Sequence, residues 1–350
     1  MITITEKSKI MIWGPSSYVR TGGAEMLNML AAYLKSLGVN ARMFNWCMPG
    51  EYEQGEYYKL LYDINCGTWK EVVDTPDTVV VLPDTMIEYF EDETNLHSVN
   101  VIEFSKRFQH AQVLVWWMSS GFDFSGYINR RIVMDTLKSY KHILHAYEPT
   151  IMRNDLEYYG INEVVPLQHG TNPLYYNYPV KYQKTNTVFY NGYKGLNRMY
   201  IENEIIPKVH AKRPDIMFET VNGDNGISSY KSKSDMCDIY DRTKVYIDFC
   251  GFAGRELMPR EACIRDCILI LGNEGTAALG EDYPIQKEYK VDKNDSDAIC
   301  DLIIDCIDNY DKRISDFIFF KNKCMYEPHK WKWEIYNIFG PAIKKPFDEQ

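Results

Sequence analysis

The chain of 350 residues contains no apolar run that approaches the roughly 18 uncharged residues needed to cross a bilayer. Its start, MITITEKSKIMIW, lacks both the long apolar segment and the small-residue cleavage site of a signal peptide. Basic residues are outnumbered, 39 against 49 acidic ones, and the formal net charge is -10. This balance argues against nucleic acid as the partner without excluding a local basic groove. Together these features predict a cytoplasmic protein.

Several chemical signatures are also missing. The nine cysteines include no C-x-x-C pair and lie mostly in apolar surroundings, which predicts free thiols and no zinc site. Neither a G-x-G-x-x-G fingerprint nor a phosphate-binding P-loop occurs, which argues against a nicotinamide dehydrogenase. The acidic stretch DKNDSD lacks the central glycine and final glutamate of a calcium loop, so it is expected to cap a helix. No metal site is therefore expected.

What the sequence has is a repeating alternation of apolar strands and helices. KIMIW predicts a buried strand, and the following helix carries Leu27, Leu30, Ala31 and Leu34 at helical spacing before Gly38 ends it. The next stretch, VNARMFNW, predicts a second strand. A strand, a glycine loop, a helix and a strand in this order predict a parallel sheet covered by helices.

The same alternation continues along the chain and restarts once. TVVVLP, AQVLVWWM, HILHAY and EVVPLQHG supply further strands, and the pattern begins again at TVFYNGYKG. Between them lies a polar stretch with prolines, from about 171 to 186, which is the expected linker. We therefore predict two Rossmann-like α/β domains, 1–172 and 185–328, facing a central cleft.

Ligands of open parallel sheets bind outside the carboxyl ends of the strands, so the loops that follow strands are the candidate sites. In the first such loop, Gly22 and Gly23 stand at a helix start, where backbone amides favour an anion or simply make a tight turn. In the second, YNGYKGLNR, Lys194 and Arg198 could neutralise a diphosphate or belong to a solvated helix start.

The third candidate loop is charged and contains a proline: GRELMPREACIRD. We expect Pro259 at the first helical position and Glu261 in the first turn. Glu261 could cap the helix or accept two hydrogen bonds from a ribose diol, while Arg255 or Arg260 faces phosphate. A fourth loop, LGNEGTAALGED, places Gly275 and Thr276 as backbone donors at another helix start.

The order and spacing of these motifs resemble the GT-B glycosyltransferases, especially the retaining family 4-like group. TGGAEMLNMLAAYLKSLGVNARMF is similar to that group's N-terminal glycine loop and helix, VVPLQHGTNPLYY to its interdomain segment, and FYNGYKG to its lysine-containing turn. DMCDIYDRTKVYIDF and GRELMPREACIRDCILILGNEGT resemble two consecutive elements of its donor-binding half. The resemblance covers most of the chain.

The resemblance implies donor-binding roles for particular residues. Glu261 matches the second glutamate of the E-x7-E motif, which binds the donor ribose, and Lys194 matches the basic residue on the diphosphate. The first glutamate falls on Ala253, so the contact to the transferred sugar passes to Arg255 or Glu256. The donor set is completed by residues from three of the four loops: Gly22, Gly23, Arg198, Gly275 and Thr276.

The N-terminal half is expected to hold acceptor-side residues. WWMSSGFDFSG follows a strand, and Asp123 in it is a candidate catalytic residue or the cap of a turn. Asp84 follows another strand. GT-B chains commonly end in a helix that packs back on the first domain, and 329–350 is expected to do so. Its lysines also allow a peripheral membrane contact.

The expected activity is sugar transfer from a nucleotide diphosphate sugar, such as a UDP- or GDP-sugar, to an acceptor hydroxyl. The resemblance implies retention of configuration, no metal and no cofactor beyond the donor. The acceptor would be a glycan, a glycolipid or a surface polysaccharide precursor. The alternatives are a transferase that modifies a nucleic-acid base or a protein, and a nucleotide-sugar-binding protein without activity. The 27 tyrosines allow carbohydrate stacking or simply a tyrosine-rich surface.

Overall fold

A computed structural model describes six stretches of the chain, which are residues 2–14, 21–44, 56–84, 108–120, 130–221 and 231–340. The chain divides into two compact units. Unit 1 comprises Met1–His169 and His329–Gln350, and unit 2 comprises Gly170–Pro328. None of the helices in the described stretches is both long enough and apolar enough to span a membrane.

Unit 1 is built on a parallel sheet. Its strands are β1 Lys9–Trp13, β2 Ala41–Phe44, β3 Asn65–Cys66, β4 Thr78–Pro83, β5 Gln112–Trp117, β6 Ile143–Tyr147 and β7 Val164–Pro166. They lie in the order β3-β2-β1-β4-β5-β6-β7, and each neighbouring pair is parallel. Its helices are α1 Gly22–Ser36, α2 Glu56–Tyr62, α3 Arg130–Ser139 and α4 Thr150–Tyr158. This confirms the predicted α/β class for the first half.

Both faces of this sheet are covered, which explains why its strands are continuous apolar runs. Ile10 and Ile12 belong to one buried cluster, and Met11 between them belongs to another. Successive side chains of a strand point to opposite faces, so each face of β1 has its own core. Leu30 of α1 packs in the first cluster, as its helical spacing predicts. After α1 the chain turns through Gly38, whose φ is +80°.

The last helix, α12 Ile318–Phe339, begins earlier than expected. Its portion from His329 onward belongs to unit 1, where Trp331 and Ile335 are buried in the same cluster as Leu30. The Trp331 ring lies 5.8 Å from that of Tyr33 on α1, measured between centroids. The apolar side chains of the tail are therefore core residues of unit 1.

Unit 2 contains a second parallel sheet. Its strands are β8 Thr185–Asn191, β9 Met217–Val221, β10 Thr243–Asp248, β11 Ile268–Gly272 and β12 Lys290–Val291. They lie in the order β12-β11-β10-β8-β9. The remaining helices are α5 Leu174–Asn177, α6 Gly195–Tyr200, α7 Ile206–Lys212, α8 Lys233–Arg242, α9 Leu257–Ile264, α10 Ser296–Asp308 and α11 Tyr310–Arg313, with a π-helical turn, Ile201–Ile205, between α6 and α7. The second half is thus also α/β, as predicted.

The stretch 171–186 is more ordered than a linker. It contains α5, whose Tyr175 is buried in the unit 2 core and lies 6.2 Å from the Tyr240 ring. The Arg265 guanidinium donates to the carbonyl oxygens of Tyr175 and Tyr178 at 3.1 and 2.8 Å. Polar composition predicted a loose connection here, but these contacts make the segment part of unit 2.

A group of buried charges lies inside unit 2. The Glu327 carboxylate pairs with Arg255, and its Oε2 lies 2.8 Å from Arg260 Nη1. Asp282 Oδ1 adds a second carboxylate 3.5 Å from Arg255 Nε. All four side chains are at most 4% exposed. We call these residues the buried ion cluster; removing one partner would leave uncompensated charge in the interior.

We predict that Glu327→Gln lowers the free energy of unfolding by about 3 kcal/mol at neutral pH, because two buried arginines lose their shared carboxylate. Calorimetric unfolding should show the loss. Glu288→Gln is the matched control, since Glu288 pairs with Arg313 while 48% exposed, and it should cost less than about 1 kcal/mol. Equal effects of the two variants would contradict the account.

The same variant should change the response to acid. Burial alone would raise the pKa of Glu327, but Arg255 and Arg260 outweigh it and hold the pKa below its ordinary value of 4.5. The stability from this group is therefore complete above pH 4.5 and is lost as the pH falls through the pKa of the folded state. The difference between wild type and Glu327→Gln should shrink below pH 4.5.

Candidate functional site

Three loops converge at the carboxyl edge of the unit 2 sheet. They follow β8, β10 and β11, which are adjacent strands with β10 in the middle. Because the strands are parallel, their carboxyl ends meet at one edge, which is where ligands of such sheets bind. The lysine-containing loop after β8 therefore lies beside the charged loop after β10.

Lys194 is the centre of this site. Its Nζ lies 3.2 Å from Glu256 Oε1, 3.9 Å from Asp248 Oδ2, and 4.7 Å from the centre of the Phe252 ring. Burial by itself would lower the pKa of the ammonium group, but Glu256 and Asp248 outweigh it and raise the pKa above its ordinary value. Lys194 is therefore a permanently charged cation, and its side chain is 30% exposed.

Asp248 ends β10 and is fully buried beneath Lys194. Burial raises the pKa of its carboxyl, while Lys194 acts in the opposite direction. Cys250 supports it, because the thiol donates to Asp248 Oδ1 at 2.7 Å and the Cys250 amide donates at 3.3 Å. Burial, reinforced by Asp248, raises the pKa of that thiol to about 12, so it remains a protonated donor at neutral pH.

Gly275 and Thr276 hold the loop after β10 in place. A Cβ on Gly275 would lie 2.2 Å from the Phe252 carbonyl oxygen, and its φ is +57°, so only glycine fits. The Thr276 amide donates to the Phe252 carbonyl at 2.9 Å, and its hydroxyl to the Gly254 carbonyl at 2.5 Å. The Thr276 amide that we expected to face the donor is therefore bonded to the protein.

Glu261 lies on α9, which begins at Leu257. The expected helix start was wrong: Pro259 is the third helical residue, and Glu261 is beyond the first turn. Proline is tolerated there because the first amides of a helix have no partner within the helix. The Glu261 carboxylate is buried and accepts a hydrogen bond from the Tyr240 hydroxyl at 3.3 Å. It therefore does not cap the helix.

Arg255 and Arg260 are not brought to Lys194. Both guanidinium groups are committed to the buried ion cluster, and Arg260 Nη2 also donates to the Arg255 carbonyl at 2.7 Å. The Arg255 side chain is only 2% exposed. Of the two residues expected to contact the sugar, the structure thus places Glu256 beside Lys194 and Arg255 in the interior.

Arg198 forms an ion pair within its own helical segment. Its Nε lies 2.9 Å from Glu202 Oε1, four residues further along the helical segment. The same carboxylate oxygen accepts a hydrogen bond from Tyr190 at 2.9 Å. Arg198 therefore joins the segment to the end of β8, and its contact with a diphosphate stays a prediction.

In unit 1, Gly22 and Gly23 begin α1, and the Thr21 hydroxyl caps the helix by accepting from the Ala24 amide at 3.3 Å. A Cβ on Gly23 would lie 3.6 Å from the sulfur of Met118, an ordinary contact. The chain from 15 to 20 in the first loop, and the catalytic candidate Asp123, lie outside the described residues.

Asp84 has a structural role that the sequence left open. It is buried at the end of β4, and its Oδ2 accepts from the Met118 and Ser119 amides at 3.0 and 2.8 Å. It thereby orders the chain that leaves β5. Sequence analysis also missed Asp248 and Cys250, although their position directly at a strand end was an available signal.

Comparison with solved structures gives the fold. S. aureus TarM, crystallised as a mutant with fondaparinux, alpha-GlcNAc-glycerol and UDP, is 13% identical with a TM-score of 0.58; the match covers 78% of this chain and 57% of TarM. Sucrose-phosphate synthase from Thermosynechococcus elongatus is 11% identical with a TM-score of 0.62, covering 94% and 96%. The chain has the GT-B fold.

A third neighbour matches over nearly the whole length of both chains. A mutant of T4 phage BGT in complex with UDP-glucose is 11% identical, with a TM-score of 0.50 and coverage of 96% of this chain and 99% of that one. The chain spans little more than half of TarM. No protein-family model and no curated protein sequence matches the chain. The identities are low, so these matches establish the GT-B architecture and leave the reaction to be proposed.

Gly275→Ala should destabilise the protein by at least about 2 kcal/mol, because it combines a left-handed backbone with a clash against Phe252. Thermal unfolding measures the loss. Gly280→Ala is the matched control, since a Cβ there meets nothing within 4 Å. If the two variants have the same melting temperature, the close approach of Gly275 to Phe252 does not hold the loop as described.

Proposed function

We propose that the protein is a glycosyltransferase that moves a sugar from a nucleotide diphosphate sugar to an acceptor hydroxyl. The observation that carries the proposal is the placement of Lys194, flanked by Glu256 and Phe252, at the carboxyl edge of a Rossmann-like sheet. A permanent, partly exposed cation at this edge is suited to the diphosphate of a donor. The acceptor would belong to a glycan, a glycolipid or a surface polysaccharide precursor.

In this proposal Lys194 exchanges one anion for another. Its carboxylate partner, Glu256, is 31% exposed and therefore able to move, whereas Asp248 is fixed by burial. A diphosphate would take the place of Glu256 on the ammonium group. The released Glu256 carboxylate would then be available to the transferred sugar, the contact that Ala253 cannot make.

The remaining roles follow the position of each residue. Glu261 is proposed to bind the donor ribose, as the resemblance implies, and the Tyr240 hydroxyl donates to its carboxylate. Gly275 and Thr276 are proposed to shape the site through the loop they hold, and Arg255 to support Glu256 from the interior. Gly22 and Gly23 remain the proposed contacts from unit 1, together with Asp123.

The proposed chemistry breaks the bond between the anomeric carbon and the donor's terminal phosphate oxygen and forms one to the acceptor oxygen, whose proton is released. Lys194 stabilises the negative charge on the departing diphosphate, which is electrostatic catalysis. We propose retention of configuration, a family 4-like relationship and no need for a metal. T4 phage BGT has been crystallised with UDP and Mn2+, so the metal requirement is an experimental question.

Uracil is the first base to test. TarM was crystallised with UDP and T4 phage BGT with UDP-glucose, and both share the fold of this chain. TarM was also crystallised with two saccharide-containing molecules, fondaparinux and alpha-GlcNAc-glycerol, which favours a carbohydrate acceptor in the proposal. GDP and ADP, with their sugars, complete the panel.

A nucleotide-sugar-binding protein without transferase activity is the second candidate. Ala253 favours it, because it occupies the position where the resembling family has an acid. The ion pair between Lys194 and Glu256 also gives the cation a partner without a ligand. Binding alone therefore cannot decide between the two functions, and turnover must be measured.

We predict that one nucleoside diphosphate of the panel raises the melting temperature and that Lys194→Met weakens its binding by about 10- to 100-fold. Loss of a charge-assisted hydrogen bond of about 1.5–3 kcal/mol gives this range. Titration calorimetry measures it. Lys212→Met is the matched control, because Lys212 pairs with Asp301 on an exposed surface. Unchanged affinity in Lys194→Met would refute the donor site.

Turnover separates the two candidates. Incubation with the preferred donor sugar, in EDTA and in Mn2+, should release the nucleoside diphosphate slowly and faster when an acceptor is added. Release in EDTA supports the metal-independent transferase. Tight binding with no release in either condition, across neutral saccharide acceptors, would instead establish the non-catalytic protein.

A further inference from the structure

A cavity lies at the edge of the unit 2 sheet opposite to the edge that holds Lys194. It has a volume of about 500 Å³ and is formed by residues of unit 2 alone. Lys184 in its wall immediately precedes β8, whereas Lys194 follows that strand. A strand of seven residues spans roughly 20 Å, so the cavity and the Lys194 site are separated by about that distance.

Four tyrosines are among the residues that line this cavity. Tyr175, Tyr176, Tyr182 and Tyr310 all line it, and the Tyr310 hydroxyl donates to the Asp266 carbonyl at 2.6 Å. Tyrosine offers a flat apolar face and a hydroxyl that both donates and accepts hydrogen bonds. This combination matches a ligand that has apolar C–H faces and many hydroxyl groups.

The mouth of the cavity is apolar and accessible. Val180 is 72% exposed, Tyr182 49% and Met325 37%. All three side chains line the cavity as well. Large apolar side chains gathered at an opening are a feature of binding sites rather than of ordinary surface.

The cations in the wall are committed to the protein itself. Lys184 Nζ donates to the carbonyl oxygens of Tyr240, Thr243 and Arg265 at 2.8, 2.7 and 2.6 Å. Lys321 Nζ pairs with Asp266 at 2.5 Å.

Arg265 is held in the same way. Its Nε and Nη2 lie 2.8 and 2.5 Å from Asp241 Oδ1, and its Nη1 donates to the carbonyl oxygens of Tyr175 and Tyr178. Lys184 and Arg265 therefore fix the wall, and a phosphate or nucleotide would have to break their contacts with backbone carbonyls and with Asp241. The cavity suits an uncharged ligand.

We propose that this cavity binds a neutral saccharide. A pyranose ring presents the apolar face and the hydroxyl groups that the tyrosine wall complements, and the volume lies in the range of pockets that hold small ligands. In the proposed glycosyltransferase, the cavity would hold a second segment of the glycan acceptor. This role of the cavity rests on the proposed function. Saccharide binding itself does not depend on it.

The test uses the full chain and three neutral trisaccharides: maltotriose, cellotriose and tri-N-acetylchitotriose. Saturation-transfer NMR should detect at least one, and titration should give its affinity. Tyr182→Ala should weaken that affinity about tenfold by removing a stacking face, and Val180→Arg should abolish binding by placing a long charged side chain at the mouth. Tyr158→Ala, at a tyrosine of unit 1 that is 83% exposed, is the control and should change nothing.

The two sites should behave independently. Lys194→Met should leave trisaccharide affinity unchanged, and Tyr182→Ala should leave UDP affinity unchanged. If the protein binds a trisaccharide through Tyr182 but binds no nucleotide, the saccharide site is supported and the proposed function fails. The inference is overturned if no trisaccharide binds, if Tyr182→Ala and Val180→Arg bind as well as wild type, or if UDP displaces the sugar.

Discussion

The arrangement of the candidate site depends on how the loop after β10 is held. From the interior, the buried ion cluster fixes Arg255 and Arg260. Arg260 also donates hydrogen bonds to the carbonyl oxygens of Arg255 and Glu256. From the side, Gly275 packs directly on the Phe252 backbone. The loop is therefore tied to the protein on both sides of Glu256, whose side chain reaches Lys194. Arg255 and Arg260, which the sequence suggested as phosphate contacts, instead support the loop that carries Glu256.

The two carboxylates beside Lys194 differ in how firmly they are held. One cation stands between a carboxylate fixed by burial and another that is partly exposed. Asp248 is the fixed partner of this partly exposed cation, and the added Glu256 supplies an exchangeable anion. Under the proposed function, a diphosphate would compete with Glu256 for Lys194 and would release the Glu256 carboxylate as the donor binds.

Much of the fold was predictable because parallel sheets are buried on both faces and their strands appear as uninterrupted apolar runs. The left-handed turn at Gly38 was also predictable, since this residue adopts a positive φ where the pattern ends the helix. The partners of Arg255 were not predictable: Glu327 lies 72 residues away in the sequence, and nothing local marks the pairing. The start of α9 was missed because proline is accepted throughout the first turn and does not specify its first position.

The most direct test of the central claim is a crystal structure of the protein with UDP, or with whichever nucleoside diphosphate stabilises it most. The account predicts that the diphosphate lies on Lys194 Nζ, with Glu256 displaced from its present 3.2 Å contact and the ribose hydroxyls on Glu261. Density for the nucleotide in the tyrosine-lined cavity, or beside Lys194 with the Glu256 ion pair intact, would contradict it.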